Sequence, residues 1–290
     1  MTMRSLGLSI YPDHSNFEDN AKYLKLGHKY GFSRIFMSML EVQGSPAETQ
    51  AKYKKIIEYG NKLGYQTFLD VSPQLFDQLG ISYSDLKFFA DTGAAGIRLD
   101  PAFDGATEAM LSYNPYGLII ELNMSNNVDY LNNIISYQAM HLFASGLIDD
   151  VIIGNAYASE EELRVLSEVN RYQLMLHVDY VKQISDIKKT IVEKPQHFRR
   201  GDMNEIVIRS TMPRVTYKDI PNPPHDNEEE FQRGDVLIGN DNFGIYKNEL
   251  QIVLKPHKEP RKNKIGSIAK DELFLLDFIK PWTKFKLTGK

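Results

Sequence analysis

Three acidic side chains close short β-prone runs: Asp70 in Gln66–Ser72, Asp100 in Gly96–Asp100 and Glu121 in Leu118–Asn123, with Asp104 on the loop after the second. Side chains two apart on a strand point the same way. Asp70 therefore shares a face with Ser72, Arg98 with Asp100, Glu121 with Asn123, and Phe36 with Ser38. Paired carboxyls are what glycoside hydrolysis needs, one donating a proton to the leaving oxygen and the other acting as base or nucleophile. Glu121 follows the apolar Leu118-Ile119-Ile120, where desolvation would raise its pKa and suit it as the acid. Asp100, two residues from Arg98, would stay ionised, and Asp70 is the third candidate. The plain alternatives are a helix or turn cap for each acid alone, and a structural ion pair between Arg98 and Asp100.

A second chemistry is anion capture. Gly154-Asn155-Ala156-Tyr157-Ala158-Ser159-Glu160 lies between a strand and a helix start, where backbone N–H groups and the helix dipole hold phosphate in barrel enzymes. Ser159 with Glu162 three residues on also reads as a capping box that needs no ligand. Arg209-Ser210-Thr211, with Arg214 nearby, is another anion candidate through a forked guanidinium contact, set against an Arg209 paired with an acidic neighbour. Tyr11, Arg98, Tyr113, Asn114 and Asn123 are candidates to line a sugar pocket. The basic residues Lys280, Lys284, Lys286 and Lys290 read as a solvated face.

These residues need a frame. The N-terminal part repeats a short β-prone run, a polar stop, an amphipathic helix, and a Gly before the next run. Strands are expected at Leu6–Tyr11, Ser33–Leu40, Gln66–Ser72, Gly96–Asp100, Leu118–Asn123 and Val151–Asn155. Helices near Asn16–Tyr30 and Pro46–Leu63 end at Gly31 and Gly64, and Gly93 closes a third helical stretch. This alternation marks βα units with a parallel sheet. Without a Gly-x-Gly phosphate loop after the first run, a barrel is favoured over a dinucleotide-binding sheet. The strand ends would then converge at the barrel mouth.

The spacing falls short in one place. An eight-unit barrel uses roughly 30 residues per unit, so two central units, about 60 residues, are missing here. The gap is expected at Tyr137-Gln138-Ala139, where one helical pattern meets another with no strand between. After the helix Ser159–Val169 the rhythm changes. Runs at Tyr172–Val178, Glu205–Thr211, Gly234–Gly239, Tyr246–Leu254, Lys264–Ala269 and Glu272–Ile279, with Pro- and Gly-rich turns, predict a small closed β-domain. The expected domains are 1–170 and 171–290.

Composition narrows the classes. Net charge is -4, from 34 basic against 38 acidic residues, so no general field draws nucleic acid or anionic lipid. No apolar run approaches the ~20 residues of a membrane helix, and the run Leu6–Ile10 is too brief for a signal-peptide core. Cysteine is absent, which rules out a disulfide framework or thiolate site and is compatible with the cytoplasm. No pair among the 7 His has i, i+4 spacing, so a histidine metal site is not expected; no cofactor is expected either.

Several longer runs carry a resemblance: Leu6-Gly7-Leu8-Ser9-Ile10-Tyr11-Pro12, Gly96-Ile97-Arg98-Leu99-Asp100, Asn114-Pro115-Tyr116-Gly117-Leu118, Leu147 through Ala156, and Phe278-Ile279-Lys280-Pro281-Trp282. In this order they resemble the 6-phospho-N-acetylmuramidase family, long a bacterial family of unknown function. The resemblance spans essentially the whole chain. It implies a TIM-like barrel followed by a cyclophilin-like β-domain, and cytoplasmic hydrolysis of N-acetylmuramic acid 6-phosphate–N-acetylglucosamine in peptidoglycan recycling. The chain departs from the family between Tyr137 and Ala139, where the sixth and seventh barrel strands are expected. Such an acetamido sugar also permits substrate-assisted chemistry, a carboxylate orienting the acetamide. Two other readings stay open: a barrel lyase or isomerase on a sugar phosphate, for which no strand-end lysine is present, and a non-catalytic carbohydrate- or peptide-binding protein. Oligomeric state is not legible.

Overall fold

The computed structural model describes residues 3–122, 135–154, 156–202, 204–227 and 229–290. The chain divides into two compact units, residues 1–135 with 148–169, and residues 136–147 with 170–290.

The first unit alternates strands and helices: β1 (Ser5–Ile10), α1 (Phe17–Lys29), β2 (Arg34–Ser38), α2 (Pro46–Lys62), β3 (Gln66–Val71), α3 (Pro73–Leu79), α4 (Lys87–Ala90), β4 (Gly96–Leu99), α5 (Gly105–Ser112), β5 (Ile119–Leu122), then, after α6 (Ile135–Ala144), β6 (Asp150–Ile153) and α7 (Glu160–Ser167). Asn16, Ser45, Ser72, Asp104 and Ser159 start their helices by accepting a first-turn N–H on the side chain. All six strands are parallel, in the order β5-β4-β3-β2-β1-β6. One face of the sheet is apolar and buried (Leu6, Leu8, Ile35, Met37, Leu69, Val71, Ile97, Leu99), as expected of strands covered by helices. The other face carries the polar residues described below.

With β5 and β6 at opposite ends, the described strands form an open half-barrel. The expected interruption of the sheet is there, since β5 and β6 do not pair among the described residues, but the expected break in the chain at Tyr137–Ala139 is not. Tyr137, Gln138 and Ala139 lie inside one helix, α6, whose Tyr137, Met140 and Phe143 are buried at helical spacing. A single amphipathic helix had the sequence appearance of two patterns joined. Its residues 136–144 cluster with the second unit, where the His141 ring packs edge-on against Phe274 and Phe278.

The second unit contains β7 (Leu174–Tyr180), α8 (Asp186–Glu193), β8 (His197–Phe198), β9 (Val207–Ser210), α9 (Met212–Thr216), β10 (Asp235–Gly239), β11 (Leu250–Val253), β12 (Lys262–Ile268) and β13 (Lys284–Gly289). The sheet order is β8-β13-β7-β12-β10-β11-β9, antiparallel except for β13 on β7. The end strands approach one another: Arg200 N donates to Arg209 O at 3.0 Å, and His197 Nδ1 lies 2.9 Å from Ser210 Oγ. The sheet is thus nearly a closed barrel.

Two expectations fail here. Glu272–Ile279 is not a strand but part of a 3₁₀ segment, Lys270–Phe278, whose fully buried Glu272 accepts from His177 N at 2.6 Å. The basic tail is not a plain solvated face. Lys284 and Lys286 alternate with buried Phe285 and Leu287 along β13, the period-2 pattern of a strand. No helix among the described residues is long and apolar enough to cross a membrane.

Candidate active site

The register of the parallel sheet builds a row. Ser38 on β2 faces Asp70 on β3, Asp70 faces Arg98 on β4, and Arg98 faces Glu121 on β5. Each residue sits near the C-terminal end of its strand, the end where parallel α/β folds keep their chemistry. Below the row lie two rings, Phe36 and Phe68. The Arg98 guanidinium stands 5.0 Å from the Phe36 ring centroid and that of Arg34 3.9 Å from the Phe68 centroid.

Asp70 is the buried acid of the row, 4% exposed. Arg98 Nη1 is 3.8 Å from its Oδ1, and that oxygen has no hydrogen-bond partner. Burial pushes its pKa up to about 6; the Arg98 charge pulls the other way and the Asp100 charge adds to the rise. Tyr11, just past β1, donates its hydroxyl to Gly154 O at 2.7 Å, and its own pKa is raised by burial and by the Asp70 charge.

The other candidates are placed differently. Glu121 is not in an apolar setting: Arg34 Nη2 donates to its Oε1 at 2.5 Å while Arg34 Nη1 holds Asp150, which also accepts from Ser5 Oγ. Asp100 accepts from Ala102 N at 2.9 Å, closing a turn, and the inter-strand partner of Arg98 is Asp70. Asp104 caps α5 through Ala106 N and Thr107 N, and these bonds hold its carboxyl below the usual range. Tyr113 and Asn114 lie on the loop that enters β5, at the N-terminal edge of the sheet. Tyr113 is exposed, and Asn114 spends its amide on Leu111 O, Leu118 O, Tyr116 N and Leu118 N. Asn123 and Asn155 fall outside the described residues.

At the expected phosphate loop Ser159 is a capping box. Its backbone N–H and hydroxyl donate to Glu162 Oε2 at 2.7 Å each, and the first turn of α7 is Glu160, Glu161 and Glu162. Those carboxylates already answer the helix dipole. Gly154 contributes the carbonyl that Tyr11 binds. In the second unit Arg209 has the acidic neighbours of its plain alternative: Nε and Nη2 donate to Glu249 at 2.8 and 3.2 Å, and Nη1 to Asp202 at 3.1 Å. Ser210 faces His197 inside the sheet, and Thr211 Oγ1 is buried with no hydrogen-bond partner.

Sequence reading missed Arg34 and Asp150, although Arg34 shares the strand parity of Phe36 and Ser38. It also missed an open cleft of about 820 Å³, lined by Asp13, Ser15, Asn16, Lys22, Tyr23 and Tyr157 among others. The buried Tyr53 hydroxyl ties one of its walls to β2, lying 2.9 Å from Asp13 Oδ2 and 2.7 Å from Ser38 O. Spacing gave no signal for it, because Tyr157 and the loop after β1 meet only in three dimensions.

The family described as 6-phospho-N-acetylmuramidase, N-terminal, matches residues 6–140 and 135–168, two stretches that meet on α6. The 6-phospho-N-acetylmuramidase, C-terminal family matches residues 174–288. No curated protein matches the sequence. An uncharacterized B. cereus protein of known structure is 38% identical, with a TM-score of 0.85 over 99% of this chain and 99% of that one. A conserved Enterococcus faecalis protein of unknown function shares the fold at 18% identity and a TM-score of 0.67, over 99% and 96%. With family matches running from residue 6 to residue 288, this chain belongs to the 6-phospho-N-acetylmuramidase family, whose name is that of a glycosidase.

Proposed function

We propose that this chain hydrolyses N-acetylmuramic acid 6-phosphate–N-acetylglucosamine to its two sugars, in the cytoplasm, as a step of peptidoglycan recycling. On this reading the half-barrel belongs to a TIM-like catalytic domain and the nearly closed sheet is a cyclophilin-like one, divided near residue 170. The observation that carries the proposal is Asp70, a buried carboxyl with a free oxygen and a pKa near 6, beside Arg98 and close to Asp100.

A carboxyl of that pKa is still partly protonated near neutral pH, which suits a general acid. Asp70 takes this role rather than Glu121, whose Oε1 is occupied by Arg34. The proton passes from Asp70 to the glycosidic oxygen, and the bond to the leaving N-acetylglucosamine breaks. Asp100, as carboxylate, activates the incoming water, orients the acetamide or attacks directly. Water supplies the hydroxyl of the new reducing end; where Asp100 attacks or orients the acetamide, Asp70 takes the water proton back, and where Asp100 is the base it takes that proton itself and the two carboxyls reset through solvent. Arg98 holds the charge of the pair, and Tyr11 borders the sugar.

Incubation with the phosphorylated disaccharide should release N-acetylglucosamine, and Asp70→Asn should suppress that release. No release by well-folded wild type would overturn the proposal, and an isomerised or cleaved sugar phosphate instead would favour lyase or isomerase chemistry.

A further inference from the structure

The second unit holds a cavity of its own, about 200 Å³, whose lining includes Arg209, Phe243, Tyr246, Glu249, Gln251 and Lys262. Three strands supply its polar floor. Gln251 on β11 faces Arg209 on β9 across the ladder, and Lys262 opens β12 opposite Gly239. The 3₁₀ segment Asp241–Tyr246 supplies the aromatic part. A Cβ at Gly239 would strike Tyr246 O at 2.3 Å and Phe243 Cδ1 at 2.8 Å, so glycine there is what lets this segment lie down on the sheet.

Within the cavity most polar atoms are satisfied by one another. Glu249, fully buried, accepts the Arg209 fork on both oxygens and Gln251 Nε2 at 2.9 Å, while Arg214 Nε lies 3.4 Å away as an ion pair without a hydrogen bond. Two groups remain for a ligand. Gln251 is 4% exposed, and with its Nε2 committed to Glu249 its Oε1 has no hydrogen-bond partner. Lys262 is 7% exposed, and its ammonium has His257 Nε2 at 3.1 Å, leaving donors unspent.

Charge and size define the ligand. Among the lining residues Arg209 and Lys262 stand against Glu249, an excess of one positive charge; outside the lining, Asp202 lies between Arg200 and Arg209, and Arg261 is paired with Glu259. Burial pushes Lys262 down to about 8; an anion beside it would offset that cost of desolvation. The volume is below the range of drug-sized sites. We infer that this cavity binds a small monoanion with a hydroxyl next to its acid group, a short hydroxycarboxylate, with the carboxylate on Lys262 and the hydroxyl donating to Gln251 Oε1. A zwitterion fits less well, because the carboxylate of Glu249 is already spent on arginine. The inference does not rest on the glycosidase reading.

Calorimetric titration of the full chain tests it, with D-glycerate as probe and propionate and glycerol as controls. D-glycerate should bind with a Kd of about 1 mM or tighter, and better than either control. Lys262→Met should weaken it at least ~10-fold, and Gln251→Leu should erase the preference for glycerate over propionate. Asp70→Asn should bind the probe as wild type does. If either cavity variant fails to fold, protection of wild-type Lys262 from acylation by glycerate, read by peptide mass, serves instead. The inference is overturned if glycerate binds no better than propionate, if Lys262→Met binds it unchanged, if Asp70→Asn loses it, or if Lys262 is not protected.

Discussion

Arg98 and Asp70 are direct cross-strand partners on β4 and β3, yet Arg98 Nη1 stops 3.8 Å from Asp70 Oδ1. That distance gives attraction without a hydrogen bond. The guanidinium moderates the cost of burying the acid but does not lock it in the ionised state. Asp70 can therefore change protonation near neutral pH.

Activity should follow that titration. With Asp70 as proton donor, kcat/KM falls as pH rises above about 6, because the free enzyme loses the protonated acid. Asp70→Asn should lower kcat by at least ~100-fold and remove the limb, and Asp100→Asn should lower kcat by a similar factor. A pH–rate profile checks this; an unchanged limb in Asp70→Asn assigns the proton donor to another group.

The same shift has a stability consequence. Folding raises the Asp70 pKa from 3.8 to about 6, so the folded state favours the neutral acid. The resulting stabilisation is present below the unfolded value and lost as pH climbs through the folded one. Asparagine, always neutral, escapes that loss. Asp70→Asn should gain roughly 2–4 °C in Tm at about pH 8 and much less at about pH 4. Equal Tm changes at both pH values would mean that Asp70 does not titrate between them.

Arg34 carries two acids at once, Glu121 and Asp150, and its side chain is 11% exposed. Arg34→Met leaves both carboxylates facing apolar surface and each other, and should cost about 3 kcal/mol in urea unfolding. Glu121→Gln keeps a neutral acceptor for Arg34 and should reduce kcat far less than Asp70→Asn. A loss in Glu121→Gln as large as that in Asp70→Asn would return Glu121 to the chemistry.

Ser159 separates a cap from an anion site. Ser159→Ala removes the box formed with Glu162 and should lower stability by about 1 kcal/mol. The ratio of kcat/KM for phosphorylated over unphosphorylated disaccharide should not change. A fall in that ratio would put the phosphate at the start of α7 after all.

The sequence revealed the row because strand parity is local: Ser38, Asp70, Arg98 and Glu121 were each legible as same-face residues near strand ends. All six strands of the half-barrel were found, since each is a short β-prone run, and five of them lead into a helix with a side-chain cap. The roles within the row were not legible. Glu121 looked desolvated beside Ile119 and Ile120, but Arg34 reaches it across the sheet from a position 87 residues away. Tyr113 and Asn114 were misplaced: they precede β5, and in a parallel sheet a loop entering a strand lies at its N-terminal edge, away from the strand ends that carry the row. β13 was missed because alternating Lys and apolar residues resemble a charged tail until a neighbouring strand buries Phe285 and Leu287.

The pairing of β6 with β1 sets an order of assembly. Strands β1 to β5 join through connections of one or two helices each, whereas Ser5 and Asp150 meet over 145 residues of chain. Closing that longer loop costs about 1–2 kcal/mol more in chain entropy than closing one of the short ones. β6 is therefore expected to join late and to open early, and amide hydrogens along Val151–Ile153 should exchange with solvent faster than those of the central strands β2 and β3. Detachment of β6 would take Asp150 away from Arg34 and leave the guanidinium to Glu121 on β5, the strand at the opposite edge of the sheet.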